Sequence, residues 1–387
     1  MRYVLCHMSC KAISRNQALK AEKEYILAVL VSSSMHRKAK GLSRMDQPCF
    51  VVRNVEEKDI SFLCQLAEQS PLINLPPCRA TISEKIQKSL DAFAGDPPPC
   101  DAEYVFVIED LSCRAVVGVS LIIAQYATPQ CPYYYYQTLT ENTGEGASPH
   151  QNHSRHILRL CVETTGWSTI GGLVLDRGYR GLPQKLGKQI SLIRFVYMGM
   201  FPERFNRHVL SEIMPILAPD GSSPFWEALG KRFTGMEYSE AFQLCRGKNR
   251  GFIEAYFPRE DVCPSFSDPA ICLGPERMAE FGREEKHIVE KAGLRFLNRL
   301  DPMDGALHYG AELSEIAVIQ RGAFRRAQRG KDRPFNDLAF IGISRQDRFL
   351  GGRYPVRCEP GLAYLPDEVM KLLAVEEGES IYVSTVD

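Results

Sequence analysis

The sequence predicts an α/β protein: a mixed sheet with flanking helices, followed by a small, mostly β subdomain. Three observations predict it. Strand-like and helix-like stretches alternate from residue 50 onward. An apolar strand at Ile170 to Leu175 runs into a glycine-bearing loop that opens a helix. The last stretch, from about Pro334 to Asp387, alternates short strands with turns.

Taken in order, Phe50 to Val55 reads as a strand. Asp59 stands at an N-cap position before Ile60, Leu63, Cys64 and Ala67 at helical spacing. Thr81-Ile-Ser-Glu84 reads as a capping box, with Ile82, Ile86, Leu90 and Phe93 on one apolar stripe, and Gly95-Asp-Pro-Pro-Pro-Cys100 ends that helix. Tyr104 to Ile108 and Val116 to Ile123, joined by a short polar turn, predict a hairpin. Residues 127 to 156, rich in Tyr, Thr, Gly and His, read as a long loop or irregular arm. After the strand at 170–175 comes a helix through Leu186, Ile190, Ile193, Phe195 and Val196. Gly251 to Phe257 reads as a strand, and Arg283 to Ala292 as a helix with Gly293 just past its end.

Three parts are expected: an N-terminal extension over 1–48, a main domain over 49–330 and the β-rich subdomain over 331–387. Residues 1 to 48 are basic and lack strand alternation, and Met45 is a candidate start. The rival reading of this stretch is a targeting or interaction arm. Its apolar run, Tyr25 to Val31, is far shorter than the ~20 residues that cross a bilayer. Lys plus Arg and Asp plus Glu both total 47, so no overall charge points to nucleic acid or to an acidic membrane. Thirteen cysteines, an odd number with no C-x-x-C pair, predict free thiols in a reducing, cytoplasmic setting.

Three stretches carry a family resemblance, Ser223-Pro-Phe-Trp-Glu-Ala-Leu-Gly-Lys-Arg-Phe233 with the Met236-Glu-Tyr-Ser that follows it, Phe252-Ile-Glu-Ala-Tyr-Phe-Pro258 and Glu290-Lys-Ala-Gly-Leu-Arg-Phe296, and the order of the earlier elements from Arg53 onward also fits, Tyr104-Val-Phe-Val-Ile-Glu-Asp110 included. In them the chain resembles the arginine N-succinyltransferases from about residue 50 to the end. The resemblance implies an N-acetyltransferase-like (GNAT) fold and transfer of succinyl from succinyl-CoA to the α-amino group of L-arginine, opening arginine catabolism. It implies no tightly bound cofactor, no metal, and small-molecule substrates rather than nucleic acid or membrane. It also implies a homo-oligomer. The alternatives are a CoA-dependent N-acyltransferase acting on another amine, or a non-catalytic descendant that binds CoA or arginine.

Such chemistry needs a group that deprotonates the amine, donors for the oxyanion, and backbone amides for the pyrophosphate at a helix N-terminus. By resemblance, Leu173 is an acyl-CoA contact and Arg180, Gly181, Gln184, Lys185 and Gly187 form the pyrophosphate loop. Gly171 and Gly172 allow close ligand approach or a bulge. Pro183 departs from the GNAT loop pattern; it removes one donor but is tolerated at a first helical position. The family's proton-donating His has no counterpart near Gly274-Pro-Glu-Arg277, which leaves Glu276 and His287 as candidate acid/base residues. Glu212-Ile-Met-Pro215 lacks an expected basic residue and Ala241-Phe242 lacks an expected carboxylate, so substrate specificity is open.

Other constellations have blander readings. His150, His153 and His156 lie at spacing three, but Ser, Pro and Asn surround them, as in an exposed arm. Tyr133 to Tyr136 could stack on a base, while strand alternation would split them between two faces. Cys161 and Cys245 lack an evident basic partner, which favours direct transfer over a covalent enzyme intermediate. The basic run Arg321 to Arg333 reads as a solvated face.

Overall fold

The computed structural model describes residues 49–386 apart from 71, 73, 96, 143–153, 215–216, 219, 247–249, 264–282, 331–333 and 336. The expected N-terminal extension and the Met45 start therefore lie outside the described residues, as do Glu276, His150 and His153.

Strand β1 (Phe50–Asn54) leads through a short turn into helix α1 (Ile60–Gln69) and then α2 (Arg79–Ala94). The two expected caps are replaced. Asp59 is buried and does not cap α1; its carboxylate accepts from Arg53 Nη1 (2.7 Å) and Nη2 (3.0 Å) and from the Glu56 amide (2.8 Å). The buried guanidinium of Arg53 requires that partner. Helix α2 begins directly after Pro76-Pro77 with Cys78 at the N-cap, so Thr81 and Glu84 lie inside it. The apolar stripe nevertheless packs as expected, with Ile82, Ile86 and Phe93 buried.

Strands β2 (Glu103–Asp110) and β3 (Ala115–Ile123) form the expected antiparallel hairpin. Strand β2 is covered on both faces. Val105 and Val107 pack with α1 and α2, while Tyr104 and Phe106 pack against Tyr197 of a later helix. The described part of the expected loop or irregular arm over 127–156 is largely strand: β4 (Tyr133–Asn142) and β5 (Ser154–Glu163) form a ten-pair antiparallel ladder. Their pattern escapes a period-two reading because both faces of β4 are occupied, with Tyr133, Tyr134 and Tyr136 all buried.

Next come β6 (Ser168–Leu175), α3 (Leu186–Met200) and β7 (His208–Ile213). The Ser223–Phe233 stretch forms a π-helical turn, Trp226–Gly230, continued by α4 (Lys231–Thr234) and followed by α5 (Tyr238–Arg246). Residues expected to form a strand at 251–257 are instead the short helix α6 (Gly251–Tyr256). A six-residue apolar run fits either period, and here Phe252 and Ile253 bury together beneath Trp226 and its neighbours. Helix α7 (Arg283–Lys291) ends where predicted, with Gly293 at φ +102° and Leu294 N–H donating to Val289 O at 3.0 Å.

Strands β8 (Arg295–Leu300) and β9 (Leu307–Glu312) complete the main sheet, ordered β1-β2-β3-β6-β7-β9-β8-β4-β5. The β6–β7 pair is parallel and its neighbours are antiparallel. Helices α1 and α2 cover one face of β1-β2-β3-β6, and α3 covers the other.

Past α8 (Ala317–Gln320), five strands close on themselves. These are β10 (Gly322–Arg329), β11 (Asp337–Arg345), β12 (Arg348–Glu359), β13 (Leu362–Leu365) and, after α9 (Asp367–Leu372), β14 (Ser380–Ser384). Each strand pairs with two neighbours, β11 with β14 and β12 included, so the ring has no edge. Ala327, Ile341, Tyr354, Val356, Ala363, Ile381 and Val383 fill it. The Arg321–Arg333 run is thus largely a barrel strand with Ala327 turned inward, and β12 ties the ring to β1 by pairing Val52 with Gly351.

A bulge interrupts β6 where β3 pairs with it: Leu121 faces Gly171, but Val119 faces Val174. Gly172 sits at φ +57°, and a Cβ there would lie 2.7 Å from Leu121 Cδ2. Gly172→Ala is expected to destabilise the fold by about 1–3 kcal/mol, read as a lowered denaturant midpoint at unchanged slope; an unaltered midpoint would show that the bulge relaxes freely.

Candidate active site

Strand β6 and strand β7 pair only at Ser168–Val209, Thr169–Leu210 and Ile170–Ser211. Beyond that point they part, and the residues on either side of the fork are the bulged Gly171-Gly172-Leu173 and Glu212. Leu173 is half-buried on β6. At the far end of β6 the chain turns through Arg177–Tyr179 and reaches the N-terminus of α3. Arg180, Gly181, Gln184 and Lys185 are exposed there, and Gly187 lies in the first turn of the helix. Two left-handed residues shape the loop, Gly181 at φ +73° and Lys185 at φ +52°. Pro183 is not in the helix. It occupies the second position of a turn closed by Lys185 N–H to Leu182 O (2.9 Å), so it removes no donor from the first turn of α3. The predicted loop residues are therefore brought together at a helix N-terminus, where orphan amides and the helix dipole favour an anion.

A second set of residues, which sequence reasoning passed over, converges at the fork. Glu212 and His308 are direct cross-strand partners on β7 and β9. The Tyr133 hydroxyl, from β4, lies 2.7 Å from Glu212 Oε1 and 2.8 Å from His308 Nε2. The one hydroxyl proton can be donated in only one of the two contacts, so in the other the Tyr133 oxygen accepts. With Glu212 ionised, Tyr133 donates to it and His308 donates from Nε2 to Tyr133. The lone pair on His308 Nδ1 is then left without a hydrogen bond, as the geometry shows. Asp301 and Asp304, in the β8–β9 turn, are buried beside this chain. Asp301 accepts from Arg250 Nη1 (3.1 Å) and from the Met303 amide (2.7 Å), and Asp304 from the Ala306 amide (2.9 Å). Arg250 also donates to Tyr126 (3.2 Å) and lies over the Tyr133 ring.

Three carboxyls around one guanidinium leave a surplus of negative charge, and the titration of the cluster reflects it. Burial, and after it the charge of Asp301, pushes Glu212 up to about 7 against the opposing pull of Arg250 and Tyr133. Burial and Asp301 likewise hold Asp304 well above the usual range. Burial, then Arg299 and Arg250, drives His308 down to about 3, so it works as a neutral imidazole. Tyr126, Tyr133 and Arg250 also line a cavity of about 500 Å³ that extends to Asn74, Lys85 and Glu103.

The family described as arginine N-succinyltransferase beta subunit matches residues 50–318. The chain belongs to the arginine N-succinyltransferase family. It is 30% identical over 294 residues to the Arginine N-succinyltransferase of Citrobacter koseri, covering 73% of this chain and 82% of that one. An Escherichia coli protein of the same name is 30% identical over 291 residues, with 73% and 81% covered. The solved structure of arginine/ornithine succinyltransferase subunit AI from Pseudomonas aeruginosa superposes with a TM-score of 0.70 at 24% identity, covering 88% of this chain and 99% of that one. The GNAT-type mixed fold expected of a succinyltransferase is the fold observed.

Within the succinyltransferase frame, only one of the two acid/base candidates lies among the described residues, and it has no described contact with the fork network. Glu276 lies outside the described residues, and His287 is an exposed residue on α7 with no described contact to Glu212, Tyr133 or His308. The four tyrosines split as strand alternation requires. Tyr133 and Tyr135 approach His308, while Tyr134 donates to Glu254 and Tyr136 packs near Phe225 and Phe257. Every described cysteine is free. Cys245 reaches the cavity, but burial pushes its thiol up to about 12, which disqualifies it as a thiolate nucleophile at neutral pH. No helix among the described residues is long and apolar enough to cross a membrane.

Glu212, Asp301 and His308 place one ligand atom each within 4.8 Å of one another. Their donors are arranged for protons rather than for a metal ion. The Tyr133 hydroxyl separates Glu212 from His308, and Arg250 holds an oxygen of Asp301. A second positive charge would have to displace that guanidinium.

Proposed function

We propose that this protein transfers succinyl from succinyl-CoA to the α-amino group of L-arginine, with Glu212 as the group that takes the amine proton. The observation that carries the assignment is the half-buried Glu212, hydrogen-bonded to Tyr133 at the point where β6 and β7 part in a chain of this family, with its carboxyl pushed up to about 7 by desolvation. An α-ammonium must lose a proton before it attacks, and a base that is about half ionised near neutral pH accepts that proton without holding it too tightly. Tyr133 and His308 keep Glu212 oriented. The amine nitrogen then attacks the thioester carbonyl, the tetrahedral oxyanion collapses, and CoA leaves as a thiolate that regains a proton. No enzyme-bound acyl group is required. The negative surplus of Glu212, Asp301 and Asp304 favours a cationic amine, and the adjoining cavity gives it room.

The donor's pyrophosphate is assigned to the loop from Arg180 to Gly187, with its acyl end beside Leu173. Arg180 and Lys185 are exposed, so each adds only modest, salt-screened attraction. The test is release of CoA thiol from succinyl-CoA with L-arginine. Arg180→Ala combined with Lys185→Ala should raise KM for succinyl-CoA about 10-fold, with a smaller change in kcat. Release that depends on some other amine, and not on arginine, would overturn the substrate assignment. The proposed setting is cytoplasmic and the proposed assembly a homo-oligomer, which sedimentation at micromolar concentration tests directly.

A further inference from the structure

Arg194, on the third turn of α3, is 2% exposed and so almost wholly out of water. Its guanidinium makes three hydrogen bonds, and all three acceptors are neutral. They are Ser191 O (2.8 Å from Nε), Ser191 Oγ (2.9 Å from Nη2) and Gly171 O (3.2 Å from Nη1). A guanidinium has five N–H donors, so two remain, one on each terminal nitrogen, and a carboxylate is the acceptor that best suits donors on both. Among the described residues no carboxylate lies within ion-pair distance of it. Among the described residues, Glu285 on α7 is the titratable group whose field reaches it, and burial holds that carboxyl up at about 7, so near neutral pH it supplies only part of a compensating charge. Elsewhere in this fold the buried arginines have carboxylate partners: Arg53 has Asp59 and Glu109, and Arg250 has Asp301. A buried cation without a hydrogen-bonded anion is costly unless something else completes it.

Its position says what that is. Gly171 is the first residue of β6 past the last β6–β7 pair and lies two residues before Leu173. Arg194 therefore sits at the fork, at the acyl end of the donor path rather than at the pyrophosphate end. We infer that Arg194 recognises the free carboxylate of a dicarboxylic acyl thioester, and so selects succinyl-CoA over donors that end in a methyl group. The inference rests on the succinyl-CoA reading above. The geometry also explains why the bond to Gly171 matters: it couples occupancy of the guanidinium to the position of the bulge that lines the thioester.

The experiment compares kcat/KM for succinyl-CoA with that for butyryl-CoA, which has the same carbon count and a methyl in place of the carboxylate. The wild-type enzyme should prefer succinyl-CoA, and Arg194→Gln should reduce that preference about 10- to 100-fold, mainly through KM for succinyl-CoA. Arg194→Lys, which keeps a buried cation but loses the fork, should reduce the preference to an intermediate value, and it serves if the Gln variant does not fold. Equal loss of both donors in either variant would reduce Arg194 to a staple between α3 and β6 and overturn the inference alone. A wild-type enzyme that uses both thioesters equally would do the same. A wild-type enzyme that releases CoA from neither would overturn the succinyltransferase reading itself.

Discussion

Glu212→Gln is expected to lower kcat/KM for arginine by about 10²–10⁴-fold, the usual contribution of a positioned base. The wild-type rate should rise with pH through a midpoint of about 7, because the ionised form is the active one. In the variant that midpoint should vanish. The same substitution carries a stability signature of definite sign. The folded carboxyl titrates at about 7 and its unperturbed value is 4.5, so between these values the folded state holds the extra proton. Stability contributed by Glu212 is therefore present below about 4.5 and lost as pH rises towards 7. Gln has no such dependence, so Glu212→Gln should gain on the wild type by about 1–3 kcal/mol between pH 5 and pH 8. Thermal unfolding at the two pH values measures it. A variant that loses activity with no pH-dependent gain would mean that Glu212 is not held against ionisation, and the base would have to be sought elsewhere.

Trp226→Ala should cost about 3–5 kcal/mol of stability. The indole is fully buried, and its Nε1 donates to Met236 O at 3.0 Å. Phe252 and Phe257 meet it at ring-centroid distances of 6.4 and 6.0 Å. Gly230 lies so close beneath the ring that a Cβ there would be 2.2 Å from Cε3. Removing the indole opens a void that the π-helical turn cannot close, since that turn is itself shaped by the ring. No described hydrogen bond or ring contact joins Trp226 to Glu212, Tyr133 or His308. The loss should therefore appear in the denaturant midpoint, while turnover measured well below the transition falls far less than in Glu212→Gln. A Trp226→Ala protein of ordinary stability but with Glu212-like inactivity would assign the Ser223–Phe233 stretch to the site rather than to the core. Phe225 links that stretch to the site, because it packs against Gly305 in the turn that carries Asp301 and Asp304.

The elements read correctly from sequence are those whose local signals agree with their tertiary surroundings. The β2–β3 hairpin has apolar runs around a polar turn, α3 has an apolar repeat after a glycine-bearing loop, and Gly293 has the φ that only glycine adopts freely. Where the signal was ambiguous, packing decided. Gly251–Tyr256 is short enough to be strand or helix, and burial against Trp226 selects the helix. The β4–β5 ladder is hidden because tyrosines fill both of its faces, so no alternation survives to be seen. The capping box at Thr81 failed because the helix begins three residues earlier, directly after the prolines, with Cys78 at the N-cap.

By itself the sequence determined the family, the β2–β3 hairpin and the strand, loop and helix from Ile170 to Val196, because each depends on residues near one another in the chain. Only the tertiary structure brings together the residues proposed as the acid/base site. Glu212, Tyr133, His308, Asp301 and Arg250 come from β7, β4, β9 and two connecting segments, and no spacing links them. What makes them a site is the cross-strand pairing that sets Glu212 opposite His308 and the burial that moves their proton affinities in opposite directions. Both are properties of the sheet as a whole, and desolvation cannot be read from a residue's neighbours in sequence.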